Sequence, residues 1–277
     1  MNASAPARAS ASRSNARTRR TEIRYVGVDL AWGQRGVTGL AVLDASGELL
    51  DVTVQQTDDD LLTWLRRWTA GPSFVAFDAP IIVRNATGHR PCERLISQYY
   101  GRFGASCHAA NTKNPSFANG SRALRLIEAL DLDLAPTAER RAAEVYPHPA
   151  IVTLFDLPRI LQYKSKPGRD FTHLHTEMLR LAEYVESLAD ASPPLQVKAN
   201  PAWQQLRQAL TQATRKADLK RVEDALDGVV CAYIAAYAAT HPARVRSFGT
   251  PESGQILAPV TPAQAARYDQ ALHTERL

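Results

Sequence analysis

The chain has 277 residues, of which 45% are hydrophobic and 22% charged, a composition that excludes a disordered chain and allows a substantial core. Its formal net charge is +5, but five of its 33 basic residues are arginines within residues 1–20, so the rest of the chain holds 28 basic and 28 acidic residues. That neutral body argues against extensive binding of duplex nucleic acid, and no apolar run approaches the roughly 18 residues that a membrane span needs, so we expect no membrane contact.

The amino-terminal segment, residues 1–21, is rich in Ala, Ser and Arg and shows no apolar periodicity, so we expect a disordered tail. No apolar stretch follows its last arginines, as a signal peptide would require. The three cysteines, Cys92, Cys107 and Cys231, form no CxxC pair, which argues against a cysteine zinc site and against a disulfide framework. We therefore expect a cytoplasmic protein.

Three apolar segments separated by glycine-containing turns predict an antiparallel meander. They are IRYVGVDLAW (23–32), VTGLAVLD (37–44) and LLDVTVQQ (49–56). An amphipathic helix follows over 57–68, with acids in its first turn, and a fourth strand over 73–80. A helical crossover places this fourth strand beside the first and parallel to it.

Aspartates end two of these strands. Asp29 follows the apolar run of the first strand and Asp78 that of the fourth. Since the two strands are expected to be parallel neighbours, both side chains should emerge at the carboxyl edge of the sheet, where open α/β sheets place their ligand sites.

The rest of the chain predicts an insertion followed by a fifth strand and several helices. The expected elements are an insertion over about 81–140 with helices at about 91–100 and in GSRALRLIEALDL, a strand over 140–151 with Glu144 near its end, a short helix in AIVTLFDL, a helix over 171–188, a linker ADASPPLQ, a helix over about 216–239, and a turn and short strand over 249–260. We expect one domain over residues 22–262 and a tail over 263–277.

The last long helix begins with acids although its remainder is uncharged. Asp224 and Asp227 are one turn apart and project from one side. Two carboxylates directed towards a core repel each other and lose hydration, which is costly unless a proton, a cation or solvent compensates. Acids in a first helical turn also suit the helix dipole, so a simple capping role stays open.

The acids at the strand ends favour a metal site over capping alone. Asp29, Asp78 and Glu144 each lie at the end of an apolar segment, so with the helix acids they are expected to converge on one sheet edge. Carboxylate oxygens suit Mg²⁺ or Mn²⁺, which we predict as cofactors. Two such ions about 4 Å apart activate water and stabilise the leaving oxygen in phosphodiester cleavage.

Six short segments occur in order between Tyr25 and Val260: GVDLAWG, FDAP, RPCERLISQYYG, EVYPHPA, YKSK and DALDGVVCAY. Together they resemble the domain-of-unknown-function family 429, which is grouped with predicted nucleases of the ribonuclease H-like fold. The resemblance implies an α/β, ribonuclease H-like, five-stranded mixed sheet flanked by helices, with a helical and loop insertion after the fourth strand. It also implies a metal-dependent nuclease whose substrate is a nucleic acid or a nucleotide.

The resemblance also assigns roles to individual acids. By position, Asp29 is the central ligand that bridges the metals and Asp78 is a ligand of one of them. Asp224 and Asp227, spaced DxxD, resemble the paired helix acids of Holliday-junction resolvases in the same superfamily and complete the shell. Glu144 is a further catalytic candidate, but it departs from the best-known arrangement, in which a glutamate comes from the first helix. The fourth ligand is therefore left open.

Basic and aromatic residues near these acids are candidates for substrate contact. The basic residues are candidates for contacting phosphate or orienting water. Trp32 is a candidate for stacking on a base, and His148 for binding a metal ion or transferring a proton. The alternative for each is an ordinary solvated or packed side chain. The candidates are Trp32, Arg84, Arg90, His108, Lys113, His148 and Lys164.

Two other functions remain open. Sugar kinases and actin-like ATPases share the fold, but their first aspartate is followed by a Gly-Thr or Gly-Ser hairpin, whereas this chain has DLAWGQRG. The second alternative is a catalytically degenerate domain that binds nucleic acid or a protein. The chain contains no GxxxxGK[ST] phosphate loop, no GxGxxG fingerprint and no GxSxG elbow.

Overall fold

The structure is a computed structural model that describes residues 22–33 and 36–274. The tail predicted as disordered, residues 1–21, lies outside the described residues.

One five-stranded mixed sheet forms the centre of the protein. Its strands are β1 (Arg24–Asp29), β2 (Thr38–Leu43), β3 (Leu49–Gln55), β4 (Ser73–Phe77) and β5 (Arg140–Glu144). Their order across the sheet is β3-β2-β1-β4-β5. The first three strands are antiparallel, while β4 is parallel to β1 and β5 is parallel to β4. The predicted meander and crossover are confirmed.

Helices cover both faces of the sheet. They are α1 (Asp58–Trp68), α2 (Pro91–Tyr100), α3 (Arg122–Ala129), α4 (Pro147–Leu154), α5 (Phe171–Ser187), α6 (Pro201–Thr211), α7 (Lys216–Thr240) and α8 (Pro262–Thr274), and single 3₁₀ turns lie at Gly101–Phe103, Leu188–Asp190 and Pro242–Arg244. Among the helices of the described residues, none combines the length and the apolar character needed to cross a membrane.

Several segments differ from the sequence-based expectation. The fifth strand stops at Glu144 because Pro147 begins α4, so it is shorter than predicted. Helix α6 was not predicted, although Asn200 caps it by accepting hydrogen bonds from the backbone of its first turn. Residues 263–274, predicted as a tail, belong to α8.

Helix α8 packs on a hairpin formed by β6 (Val245–Thr250) and β7 (Gly254–Pro259), of which only the second strand was expected. The ring centroids of Tyr268 in α8 and Phe248 in β6 are 4.7 Å apart. An isolated bridge between Val145 and Leu257 joins this hairpin to the end of β5.

Glycines allow α7 to approach the sheet at backbone distance. A Cβ atom on Gly27 of β1 would lie 2.0 Å from the carbonyl oxygen of Gly228 in α7. A Cβ atom on Gly39 of β2 would lie 1.6 Å from the carbonyl oxygen of Asp224. Only glycine fits at both points, and the close approach places the acidic start of the buried part of α7 over the ends of β1 and β2.

Candidate active site

Asp29 and Asp78 lie side by side at the carboxyl edge of the sheet. Asp29 is the last residue of β1, and the backbone N–H of Asp78 donates to the Val28 carbonyl at 2.8 Å, which extends the β1–β4 ladder by one residue. The two carboxyl groups border the same cavity and repel each other electrostatically. The predicted meeting of these strand ends is therefore confirmed.

Burial and electrostatic repulsion disfavour ionisation of this pair of carboxyl groups. The pKa of Asp78 is raised to about 7, chiefly by burial; Lys164 opposes the increase and the charge of Asp227 contributes to it. Burial also raises the pKa of Asp29 well above its usual range, again with Lys164 acting in the opposite direction. Two carboxyl groups that are difficult to ionise together form a site in which a cation is favourable.

A cavity of about 550 Å³ opens at this edge. Most of the residues predicted as site residues border it: Asp29, Trp32, Asp78, Arg90, Glu144, His108, His148, Lys164 and Asp224. Arg84 and Lys113 are exposed on the insertion and are not among the residues that border the cavity. Asp227 is not among them either, because its side chain is fully buried.

Two adjacent residues of one loop contact the two carboxylate oxygens of Asp227. The Tyr163 hydroxyl donates a 2.7 Å hydrogen bond to Oδ1, and Lys164 Nζ lies 2.8 Å from Oδ2. Burial opposes the charge on Lys164, but the carboxylates of Asp227, Asp29 and Asp78 together raise its pKa well above the usual value. Lys164 was predicted as a phosphate contact, and the structure places it among the acids.

A second lysine compensates the other helix acids. Lys220 Nζ lies 2.6 Å from Oδ1 of Asp224 and 2.9 Å from Oε1 of Glu223. Burial raises the pKa of Asp224, and the hydrogen bond from Lys220 opposes that increase. Asp224 borders the cavity, so of the two helix acids it is the one open to a ligand.

Glu144 forms a buried ion pair that the sequence did not indicate. Arg90 Nη1 and Nη2 donate to its two carboxylate oxygens at 2.9 and 2.5 Å, and the Ile81 N–H donates at 2.9 Å. Arg90 also binds Glu93 at 2.8 Å and is 1% exposed. This network ties β5 to the start of α2. Glu144 and Arg90 both border the cavity, so the catalytic and substrate-binding roles expected of them stay predictions.

His148 lies in the cavity wall between two tyrosines. Its ring centroid is 5.6 Å from that of Tyr146 and 5.5 Å from that of Tyr163. Burial, together with the charges of Lys164 and Lys166, lowers its pKa to about 3, so the imidazole is neutral. Its Nδ1 atom is buried without a hydrogen-bond partner among the described residues.

Apolar side chains form the opposite wall. Asp29, Gly39 and Val54 are paired across β1, β2 and β3, so their side chains point to the same face of the sheet. Val54 and Val37 are 37% and 42% exposed, and both border the cavity beside the partly buried Trp32. The cavity thus combines an acidic centre with an apolar side.

The acidic centre offers two carboxylates to a divalent ion. Within residues 22–33 and 36–274, no group of three or more His, Cys, Asp or Glu side chains lies close enough together to hold a metal ion. Mg²⁺ commonly needs only one or two protein carboxylates, because waters and substrate phosphates complete its shell. Asp29 and Asp78 fit that pattern, with Asp224 bordering the same cavity.

Sequence reasoning missed the side chains that bind the acids. These are Tyr163, which donates a hydrogen bond to Asp227, Lys220, which pairs with Asp224, and Arg90, which pairs with Glu144. The spacing of Lys220 and Asp224 at i and i+4 was a usable signal, since such residues face each other on a helix. Tyr163 and Arg90 left no comparable signal, because their partners are 64 and 54 residues away.

The fold and the cavity define an α/β protein with a helix-flanked, five-stranded mixed sheet and a carboxylate cluster at its carboxyl edge. Within that class, the chain belongs to the family described as protein of unknown function, DUF429, whose sequence profile matches residues 27–252. No curated protein gives a significant match to the chain.

Proposed function

We propose that the protein is a divalent-metal-dependent hydrolase of phosphodiester bonds, with a ribonuclease H-like fold. The proposal rests on one observation: Asp29 and Asp78 lie next to each other at the ends of adjacent parallel strands, and both border one cavity. The meander, the crossover to β4 and the closing helix α7, all implied by the family resemblance, support it further.

Asp29 and Asp78 would hold Mg²⁺ or Mn²⁺, with Asp224 as a third oxygen donor. The bound ion would supply Lewis-acid activation of the phosphoryl group and of water. Both carboxyl groups must lose their protons before they bind a cation, so their raised pKa values predict activity that increases with pH.

Cationic and apolar residues would bind the substrate on either side of the acids. Lys166 and Arg221 are exposed at the cavity border and supply positive charge for phosphate groups. Trp32, Val37 and Val54 would contact a base, since aromatic and apolar surfaces bind nucleobases without sequence preference. Neutral His148 is available for one hydrogen bond. A cavity of this size suits one nucleotide unit or a strand end better than a duplex.

The test is cleavage of labelled single- and double-stranded DNA and RNA with Mg²⁺, Mn²⁺ or EDTA. We expect metal-dependent cleavage that falls at least roughly 100-fold in Asp29→Asn and in Asp78→Asn, because even residues behind the ligands commonly contribute 10- to 100-fold. Asp131→Asn is the matched control, since its side chain is 99% exposed and asparagine tolerates its positive φ of 52°.

Three results would count against this function. Cleavage that persists in both strand-end variants would reject the metal site. Phosphorylation of a small molecule by ATP would favour the phosphotransferase alternative. Metal-independent binding of nucleic acid without turnover would favour a degenerate binding domain.

A further inference from the structure

Lys164 borders the cavity, and its ammonium group lies among the carboxylates. Its Nζ atom is 2.8 Å from Asp227 Oδ2, and its side chain is only 29% exposed. We infer that Lys164 supplies the positive charge that a second ion supplies in a two-metal site, so that the cluster takes a single divalent ion per chain. The inference rests on the proposed function, because it assumes that Asp29 and Asp78 bind that ion.

Asp227 is enclosed in a way that favours a positioning role over ligation. Its side chain is 0% exposed, and each of its oxygens has a protein cation or donor next to it. Tyr163 and Lys164 are adjacent in sequence, so one loop segment contacts both carboxylate oxygens of Asp227. Lys164 Nζ lies 2.8 Å from Oδ2, the oxygen that makes no hydrogen bond within the described residues, so the lysine occupies the position next to it that a cation would take.

Charge balance supports one ion over two. Asp29, Asp78 and Asp227 carry three negative charges when ionised, and the Lys164 ammonium offsets one of them. A single divalent ion makes this group neutral, whereas a second would leave a net charge of +2 in a largely buried site. Asp224 and Glu223 lie outside this group and share the single positive charge of Lys220, at 2.6 and 2.9 Å.

Lys164 is also distinct from the other lysines at the cavity. Lys220 is 58% exposed and pairs with acids on its own helix. Lys166 is exposed, and no acidic partner is found for it in the described part of the chain. Of the three lysines that border the cavity in the described part of the chain, Lys164 is the one whose charge lies beside the proposed ligands.

The experiment counts Mn²⁺ ions bound to the full-length chain, by calorimetry and by the electron paramagnetic resonance signal of free Mn²⁺, at pH 8 and without substrate. The wild type should bind one ion. Lys164→Met removes the charge, so it should bind a second ion or bind the first at least roughly tenfold more tightly, as expected for loss of a unit charge a few ångströms away. Lys164→Arg should keep one ion, and Lys166→Met should change the affinity much less.

The outcomes separate this inference from the proposed function. Two ions in the wild type, or unchanged number and affinity in Lys164→Met, would overturn the inference. One ion bound without any cleavage would reject the nuclease function and leave the role of Lys164 intact, while no bound ion would reject both. If Lys164→Met fails to fold, Mn²⁺ binding is measured on Asp227→Asn. One bound ion in that variant supports a positioning role for Asp227. Loss of Mn²⁺ binding identifies Asp227 as a ligand and contradicts the inference.

Discussion

The backbone carbonyl of Asp224 lies directly over Gly39, so close that a Cβ atom at residue 39 would be 1.6 Å from its oxygen. The depth at which α7 sits on the sheet therefore depends on the absence of a side chain in β2. Because Asp224 and Asp227 belong to that stretch of α7, the same contact sets the height of the acids above Asp29.

Gly39→Ala should consequently destabilise the protein and displace the acids. We expect a loss of about 3 kcal/mol or more in the free energy of unfolding, the upper range for overpacking, because both partners are backbone atoms that cannot rotate away. Urea denaturation measures it. Gly33→Ala is the control, since a Cβ there meets nothing within 4 Å, and an equal loss in both variants would contradict the packing argument.

The metal-free protein should become less stable as pH rises from about 4 to about 7. Burial raises the pKa of Asp78 to about 7 in the folded state, so in this window the folded protein holds a proton that the unfolded chain has lost. The free energy of unfolding therefore decreases as pH rises through this window, by a few kcal/mol at most. Thermal unfolding between pH 5 and pH 8 measures it, and Asp78→Asn should flatten the profile.

Added Mn²⁺ should counteract this loss of stability at high pH. Protons and the metal compete for the same carboxylates, so added Mn²⁺ should raise the melting temperature more at pH 8 than at pH 5. Equal stabilisation at both pH values would show that the ion binds elsewhere. Asp29→Asn should remove most of the increase at pH 8.

Glu144→Gln should affect stability more than catalysis. The substitution breaks a buried ion pair and leaves the Arg90 guanidinium with Glu93 as its remaining carboxylate partner among the described residues, at an expected cost of up to about 3 kcal/mol. Cleavage per folded molecule should stay within roughly tenfold of wild type, whereas loss of a metal-binding carboxylate is expected to cost 100-fold or more. A loss as large as that of Asp29→Asn would restore Glu144 as a catalytic residue.

Tyr163→Phe should lower the free energy of unfolding, because it removes a hydrogen bond to Asp227. Removing the hydroxyl leaves a buried carboxylate oxygen without its donor, which costs about 1–3 kcal/mol. A double-mutant cycle with Asp227→Asn isolates the interaction in urea denaturation. Additive effects of the two substitutions would show that the hydrogen bond does not contribute.

Trp32→Ala should weaken binding of a single-stranded oligonucleotide by about 1–3 kcal/mol, the usual contribution of one stacked base. Fluorescence anisotropy with Ca²⁺ in place of Mg²⁺ measures affinity without relying on cleavage. Lys113→Ala is the control, because Lys113 is exposed and does not border the cavity. Equal losses in the two variants would argue against a base site at Trp32.

The sequence by itself determined the strand order and the position of the first acid pair. Periodicity predicted the meander and most helices, because burial of one face leaves a repeat of 2 or 3.6 in the residues themselves. The preference for right-handed, adjacent crossovers then placed β4 beside β1, which was enough to bring Asp29 and Asp78 together. Both inferences depend on local pattern and on general rules of chain connection.

Only the tertiary structure decided which acids are available. Glu144 looks like Asp29 in the sequence, since each ends an apolar run, yet Arg90 occupies both of its carboxylate oxygens. Asp227 resembles Asp224, yet it lies beneath the cavity with Lys164 and Tyr163. The physical reason is that the state of a buried carboxylate depends on the cation or donor within about 3 Å of it, and that neighbour comes from a distant part of the chain.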